Sequence, residues 1–159
     1  DIGVMGTDAS TLVGARPYSI YEPFMLIECK RLPAPTSDRE REYVAGTHRS
    51  SSRPTGGIQR FKLGNHGADV ETSAIVGYVE MQTADHWHSA INQWIADLIA
   101  SSGATEAMWS DHDKLRELLT DPRSSVSSCV SVHRRVATCC TNSIRLHHFW
   151  VDVTDDRVE

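Results

Sequence analysis

The sequence predicts a mixed α/β (or α+β) domain, a central sheet with helices packed on it, from three observations. Residues 24–28, Phe-Met-Leu-Ile-Glu, are a continuous apolar run that ends in a charge. Trp87, Ala90, Ile91, Trp94, Ile95, Leu98 and Ile99 recur at helical spacing. Two segments near 128–138 and 143–153 alternate in part between apolar and polar residues, as half-buried strands do. The chain has 159 residues, enough for one hydrophobic core, and nothing divides it, so 1–159 is read as a single domain.

Taken in order, residues 1–5 predict a short strand and 6–17 a loop rich in Gly, Thr, Ser and Pro. Residues 20–28 predict a central strand buried on both faces, forming an antiparallel hairpin with the first. Pro, Ser, Gly and four arginines punctuate 33–57, which is expected to be an exposed, mobile loop. Further strands are expected at 58–63 and 74–81. The helix that follows is capped by Asp85 and closed by Gly103. A shorter helix is expected over about 111–120, with Leu115, Leu118 and Leu119 on one face and Pro122 beyond its end.

Composition narrows the function classes. No apolar run approaches the ~20 residues that span a bilayer, and no secretory signal opens the chain. The four cysteines form no C-x-x-C, so reduced and mostly buried thiols in a cytoplasmic protein are expected. A net charge of −5 argues against a protein that coats nucleic acid generally, but not against an enzyme that gathers carboxylates around a divalent cation. Lysine is scarce: of 16 basic residues only Lys30, Lys62 and Lys114 are lysines, which makes one inside a motif more informative.

That motif is Ile27-Glu28-Cys29-Lys30. Period-two geometry puts Glu28 and Lys30 on one face at the end of a buried strand. An ionised carboxylate there is expensive unless a cation or hydrogen bonds satisfy it. A divalent metal would do so, and Lys30 could then position or deprotonate a water. Asp1 supplies a second carboxylate, since the start of one antiparallel strand lies beside the end of its partner. Asp8, seven positions on, would lie about 20 Å away along an extended strand.

Asp-Ile at a strand start, a hairpin, then Ile-Glu-Cys-Lys-Arg-Leu resembles the core of the PD-(D/E)XK nuclease superfamily, as do Gly57-Ile58-Gln59-Arg60-Phe61 and Val76-Gly77-Tyr78-Val79, which look like uncharacterised bacterial members. The resemblance covers roughly residues 1–100. It implies a restriction-endonuclease-like mixed central sheet flanked by helices. It also implies Asp1, Glu28 and the Cys29 carbonyl as ligands of Mg²⁺ or Mn²⁺, with Lys30 as the catalytic lysine. The activity implied is endonucleolytic hydrolysis of DNA, or of RNA as the close variant, in bacterial or phage-related defence or processing. The chain starts at Asp1 and lacks the helix that precedes the Asp in that group, so it reads as a fragment or processed product. A non-catalytic nuclease-fold subunit of a larger complex is the alternative, and a homodimer suits enzymes that cut two strands.

Arg39 and Arg41, with Arg49 and Arg53, are candidate phosphate contacts in the long loop, as are Arg134 and Arg135 near the end and Arg60 near the site. His86, His88, His147 and His148, with Cys139 and Cys140, raise a zinc-stabilised domain as a third reading. Adjacent histidines on a strand point to opposite faces, however, so only one of His147 and His148 could join such a site. Trp87 and Trp94, at helical spacing, are expected in the core.

Overall fold

A computed structural model describes residues 2–8, 11–13, 15–48, 50–101, 109–121, 123–136 and 138–154, the side chains of residues 37 and 38 lying outside that description. Asp1, Arg49, Gly103 and Pro122 fall outside the described residues.

The strands are β1 (Ile2–Met5), β2 (Thr11–Val13), β3 (Arg16–Tyr18), β4 (Pro23–Leu32), β5 (Thr72–Val79), β6 (Leu119–Thr120), β7 (Val126–Arg134) and β8 (Ser143–Asp152). The helices are α1 (Ser37–Glu40), α2 (Gly57–Lys62) and α3 (Ala84–Ser101), with 3-10 turns at Arg41–Tyr43 and Asp111–Asp113. Six strands form one mixed sheet in the order β1-β4-β5-β8-β7-β6, and β2 and β3 form a separate hairpin. β1 runs antiparallel to β4 with Ile2 opposite Ile27, as the hairpin reading expects. β4, β5 and β8 are mutually parallel, and β7 returns antiparallel to β8. The fold is therefore a mixed α/β sheet flanked by helices. No helix among the described residues is long and apolar enough to cross a membrane.

One face of the sheet carries the core. Glu28 lies opposite Ile75, Ile75 opposite His148, and His148 opposite Cys129, so these four share that face. Ile58 and Phe61 of α2 and Trp87, Ile91 and Ile95 of α3 pack there with Ile75, Ile144, Leu146 and Trp150 in one cluster. Trp94 lies at its margin. Trp87 is thus a core residue, as its spacing predicts, and Trp94 is half-buried against the core.

Five expectations need correction. Residues 58–63 are not a strand. A strand would put Ile58 and Phe61 on opposite faces, whereas the helix α2 buries Ile58, Phe61 and Lys62 together. Residues 111–120 are not a helix beyond the turn at Asp111–Asp113, because other elements take the backbone groups. Asn92 of α3 accepts from the Leu115 N–H at 2.8 Å and donates to the Leu115 carbonyl, while the Arg116 N–H bonds Val130 O. The loop 33–57 is not merely exposed: Tyr43 and Val44 are buried, and the Val44 carbonyl accepts from the Gln59 N–H of α2. The thiols are not mostly buried either. Cys129 alone is, and burial pushes its pKa up to about 12, whereas Cys29 faces out from the outward phase of β4. At the start of α3, Thr83 rather than Asp85 caps, its Oγ1 accepting from the His86 N–H at 3.2 Å.

Candidate active site on strand β4

β4 pairs with β1 over Pro23–Ile27 and with β5 over Ile27–Leu32, and its inward phase continues from Leu26 through Glu28 and Lys30 to Leu32. Glu28 is only 2% exposed. One carboxylate oxygen, Oε1, lies 2.7 Å from Lys30 Nζ, and the other, Oε2, lies 2.7 Å from the Arg60 guanidinium. The Arg60 contact is close but falls short of hydrogen-bond alignment: Glu28 Oε2 and Arg60 Nε are both buried without a hydrogen-bond partner. Burial raises the Glu28 pKa, but Lys30 and Arg60 together outweigh it, so the carboxyl sits below its ordinary range and is ionised.

α2 closes the site from the other side. A β-carbon at Gly57 would lie 2.9 Å from the Tyr43 carbonyl, 3.3 Å from Lys30 Cε and 3.4 Å from Glu28 Oε1, so only glycine lets this turn approach the pair. Gly57 opens the Gly57-Ile58-Gln59-Arg60-Phe61 segment, and the Gly56-Gly57 step ahead of Ile58 marks the close approach. His66, in edge contact with Phe61, is the nearby imidazole. Burial first, then Arg60, lower its pKa, partly offset by Glu28.

Beyond Lys30 opens a cavity of about 280 Å³ whose walls include Cys29, Lys30, Arg39, Glu40 and Glu42. The structure therefore brings Glu28, Lys30 and Arg60 into one cluster and sets Arg39 on the cavity next to it. Arg39 also pairs with Glu42 at 3.5 Å, and Arg41 turns away to Asp97 of α3 at 2.9 Å. Arg134 is exposed at the end of β7. Arg135 is internal: it is 6% exposed, and its guanidinium donates to the carbonyls of Phe61, His66, Gly67, Ala68 and Val70. The Cys29 side chain points to the opposite face, leaving its backbone carbonyl as what it can contribute near Glu28. Asp1 lies outside the described residues. Among the described residues no group of three or more His, Cys, Asp or Glu is placed to hold a metal ion.

A second polar cluster went unforeseen. Trp150 Nε1 donates to Tyr43 OH (3.0 Å), which meets His148 Nδ1 (2.8 Å); His148 Nε2 meets Ser131 Oγ (2.8 Å), which meets His133 Nε2 (2.6 Å). His133 Nδ1 then meets Asp113 Oδ1 (2.8 Å), which Lys62 Nζ also approaches at 2.5 Å. An indole can only donate and an ionised carboxylate can only accept, so the two ends set the direction of every bond. Tyr43 donates to His148, His148 to Ser131, Ser131 to His133, and His133 to Asp113. Both histidines are neutral, burial lowering His133 and taking His148 down to about 3. Asp113, raised by burial but lowered more by His133 and Lys62, falls to about 2. Ser131, His133 and Asp113 have the residue types and proton direction of a nucleophile relay, yet Ser131 and His133 are 0% exposed, so no substrate reaches them. The signal for this chain was a histidine at 148 in the same phase as Ile144, Leu146 and Trp150.

Comparison with protein-family models, with curated proteins and with solved structures found no match to this chain.

Proposed function

We propose that the chain is a metal-dependent phosphodiesterase of the PD-(D/E)XK kind, with a restriction-endonuclease-like core, that cuts DNA in bacterial or phage-related defence or processing in the cytoplasm. The observation that carries the reading is Glu28: an ionised carboxylate buried inside β4, two residues from Lys30, whose Oε2 has the Arg60 ion pair but no aligned hydrogen bond. A buried oxygen with lone pairs to spare suits a hard divalent cation such as Mg²⁺ or Mn²⁺. Glu28, with the Cys29 carbonyl and Asp1 by resemblance, would hold it; when bound it supplies Lewis-acid stabilisation of the phosphate oxygens.

The chain's own groups do the rest. Lys30, partly exposed and facing the cavity, places an ammonium beside the attacked phosphate and orients the water. Arg60 holds the Glu28 carboxylate in place from α2. Arg39 lines the route by which a phosphodiester reaches Lys30.

One observation favours a second reading. Lys30 and Arg60 already neutralise Glu28, as they would in a nuclease fold kept as a non-catalytic binding or assembly subunit. The deciding experiment is cleavage of plasmid, single-stranded DNA and RNA with Mg²⁺, Mn²⁺ or EDTA by wild type and Lys30→Ala, alongside Mg²⁺ calorimetry on wild type and Glu28→Ala. Metal-dependent cutting lost in Lys30→Ala, with metal affinity lost in Glu28→Ala, supports the enzyme. A folded protein that neither cuts nor binds Mg²⁺ is the assembly subunit.

A further inference from the structure

Among the described residues, only one face of the sheet carries the core. On the other, Arg145, His147 and Phe149 of β8 stand between Tyr78 of β5 and Arg134 of β7, all half-buried or exposed. Parallel strands such as β4, β5 and β8 ordinarily have both faces covered. Here Phe149 is 38% and Tyr78 40% exposed. The His147 and Phe149 rings lie nearly parallel, 9° apart in plane and 6.2 Å between centroids. Burial and then Arg145 lower the His147 pKa, so its ring is neutral at pH 7. A groove of about 310 Å³ runs past these rings, walled also by Arg116, Leu119 and Arg145.

The charge around this groove is one-sided. Arg116, Arg134 and Arg145 are exposed and make no ion pair among the described residues, whereas Arg31, Arg39, Arg41, Arg60 and Arg123 each have a carboxylate. Glu117 is the acid among the residues walling it. A two-fold pairing of this face with a second copy would set these arginines against one another. Unpaired guanidiniums around exposed flat rings instead complement a polyanion that carries flat apolar groups. Duplex DNA hides its base faces, and a single strand exposes them.

We propose that this open sheet face is a binding platform for single-stranded nucleic acid, with bases stacking on Phe149, His147 and Tyr78 while Arg116, Arg134 and Arg145 contact phosphates. It lies on the face opposite Glu28 and stands whether or not that site cuts.

The test is fluorescence anisotropy of a labelled oligothymidylate of about ten nucleotides and of a duplex of equal length, in EDTA so that no strand is hydrolysed. Wild type binds the single strand more tightly. Phe149→Ala weakens it by roughly tenfold, and Phe149→Trp restores it. Arg145→Glu lowers both the affinity and the salt dependence, the log–log slope falling by about 0.7 for each phosphate the protein no longer neutralises. Thermal melts check that each variant is folded. The proposal is overturned if wild type shows no binding, if the duplex binds as tightly, or if Phe149→Ala leaves single-strand affinity unchanged. A dimer broken by Phe149→Ala without oligonucleotide binding would also overturn it, in favour of a second copy.

Discussion

The Arg60 guanidinium of α2 stands 2.7 Å from the Glu28 carboxylate of β4, so the charge inside that strand is held by a helix that begins at Gly57, beyond the loop. Removing Arg60 leaves burial opposed by Lys30 alone. In Arg60→Ala the Glu28 pKa rises towards the ordinary carboxylate range, read by NMR titration of the carboxyl carbon. A lowered folded-state pKa stabilises above the unfolded value, and that stability is lost as pH falls through the folded value; the variant therefore shows a shallower acid dependence. Its overall loss at pH 7 is about 1–3 kcal/mol, less than for a fully buried pair because Arg60 is partly exposed. An unchanged Glu28 pKa would count against the contact.

Gly57 separates two groups that a side chain would push apart. Gly57→Ala meets the Tyr43 carbonyl, which is backbone and cannot swing away, as well as Lys30. The expected loss is about 1–3 kcal/mol, with chemical-shift changes centred on Lys30 and Tyr43. A variant as stable as wild type would show that the turn relaxes freely.

The buried hydrogen-bond chain predicts opposite tautomers for two neighbouring histidines: His148 carries its proton on Nε2 and His133 on Nδ1, as ¹⁵N–¹H correlation would report. Ser131→Ala strands the His148 N–H and the His133 acceptor at once. The expected loss is about 2–4 kcal/mol, since each unsatisfied buried group costs about 1–3 kcal/mol. If the loss stays under about 0.5 kcal/mol, Ser131 does not link the two rings.

Acid sensitivity follows from the same residues. His148 is held near 3 against an ordinary 6.5, so the unfolded chain takes up a proton that the fold refuses. Stability is full above about 6.5 and falls as pH drops towards 3. Asp113, lowered from 3.8 to about 2, adds about 2 kcal/mol that is present above its unfolded value and lost between roughly pH 4 and 2. Urea midpoints should therefore fall between pH 7 and 5 in wild type, and His148→Gln should remove most of that slope. A flat midpoint across this range would mean that His148 is not buried neutral.

The strand period made the centre of the candidate site legible. Glu28 and Lys30 do share the inward face, and His147 and His148 do part to opposite faces, because a strand held in a ladder alternates rigidly. The same rule, carried further, would have separated Arg134 from Arg135. β7 turns its odd residues inward from Ser127 to His133, so Arg135 continues that inward phase. What the period could not reveal was helix α2. In six residues strand and helix patterns overlap, and only the joint burial of Ile58, Phe61 and Lys62 decides between them. Nor could local sequence say that Asn92 and Val130 would claim the backbone of 115–116 and unwind an otherwise good helix pattern.

Arg135 binds the Phe61 carbonyl across 74 residues of chain and clasps the carbonyls of His66, Gly67, Ala68 and Val70 with the same guanidinium. The last turn of α2 and the segment bearing His66 therefore take their shape from a residue beyond the far end of the sheet. The neighbourhood of Glu28 consequently cannot mature in sequence order. It stays unfinished until β7 has docked, so ribosome-bound chains halted before that strand emerges would carry Glu28, Lys30 and Arg60 without the clasp that closes the end of α2.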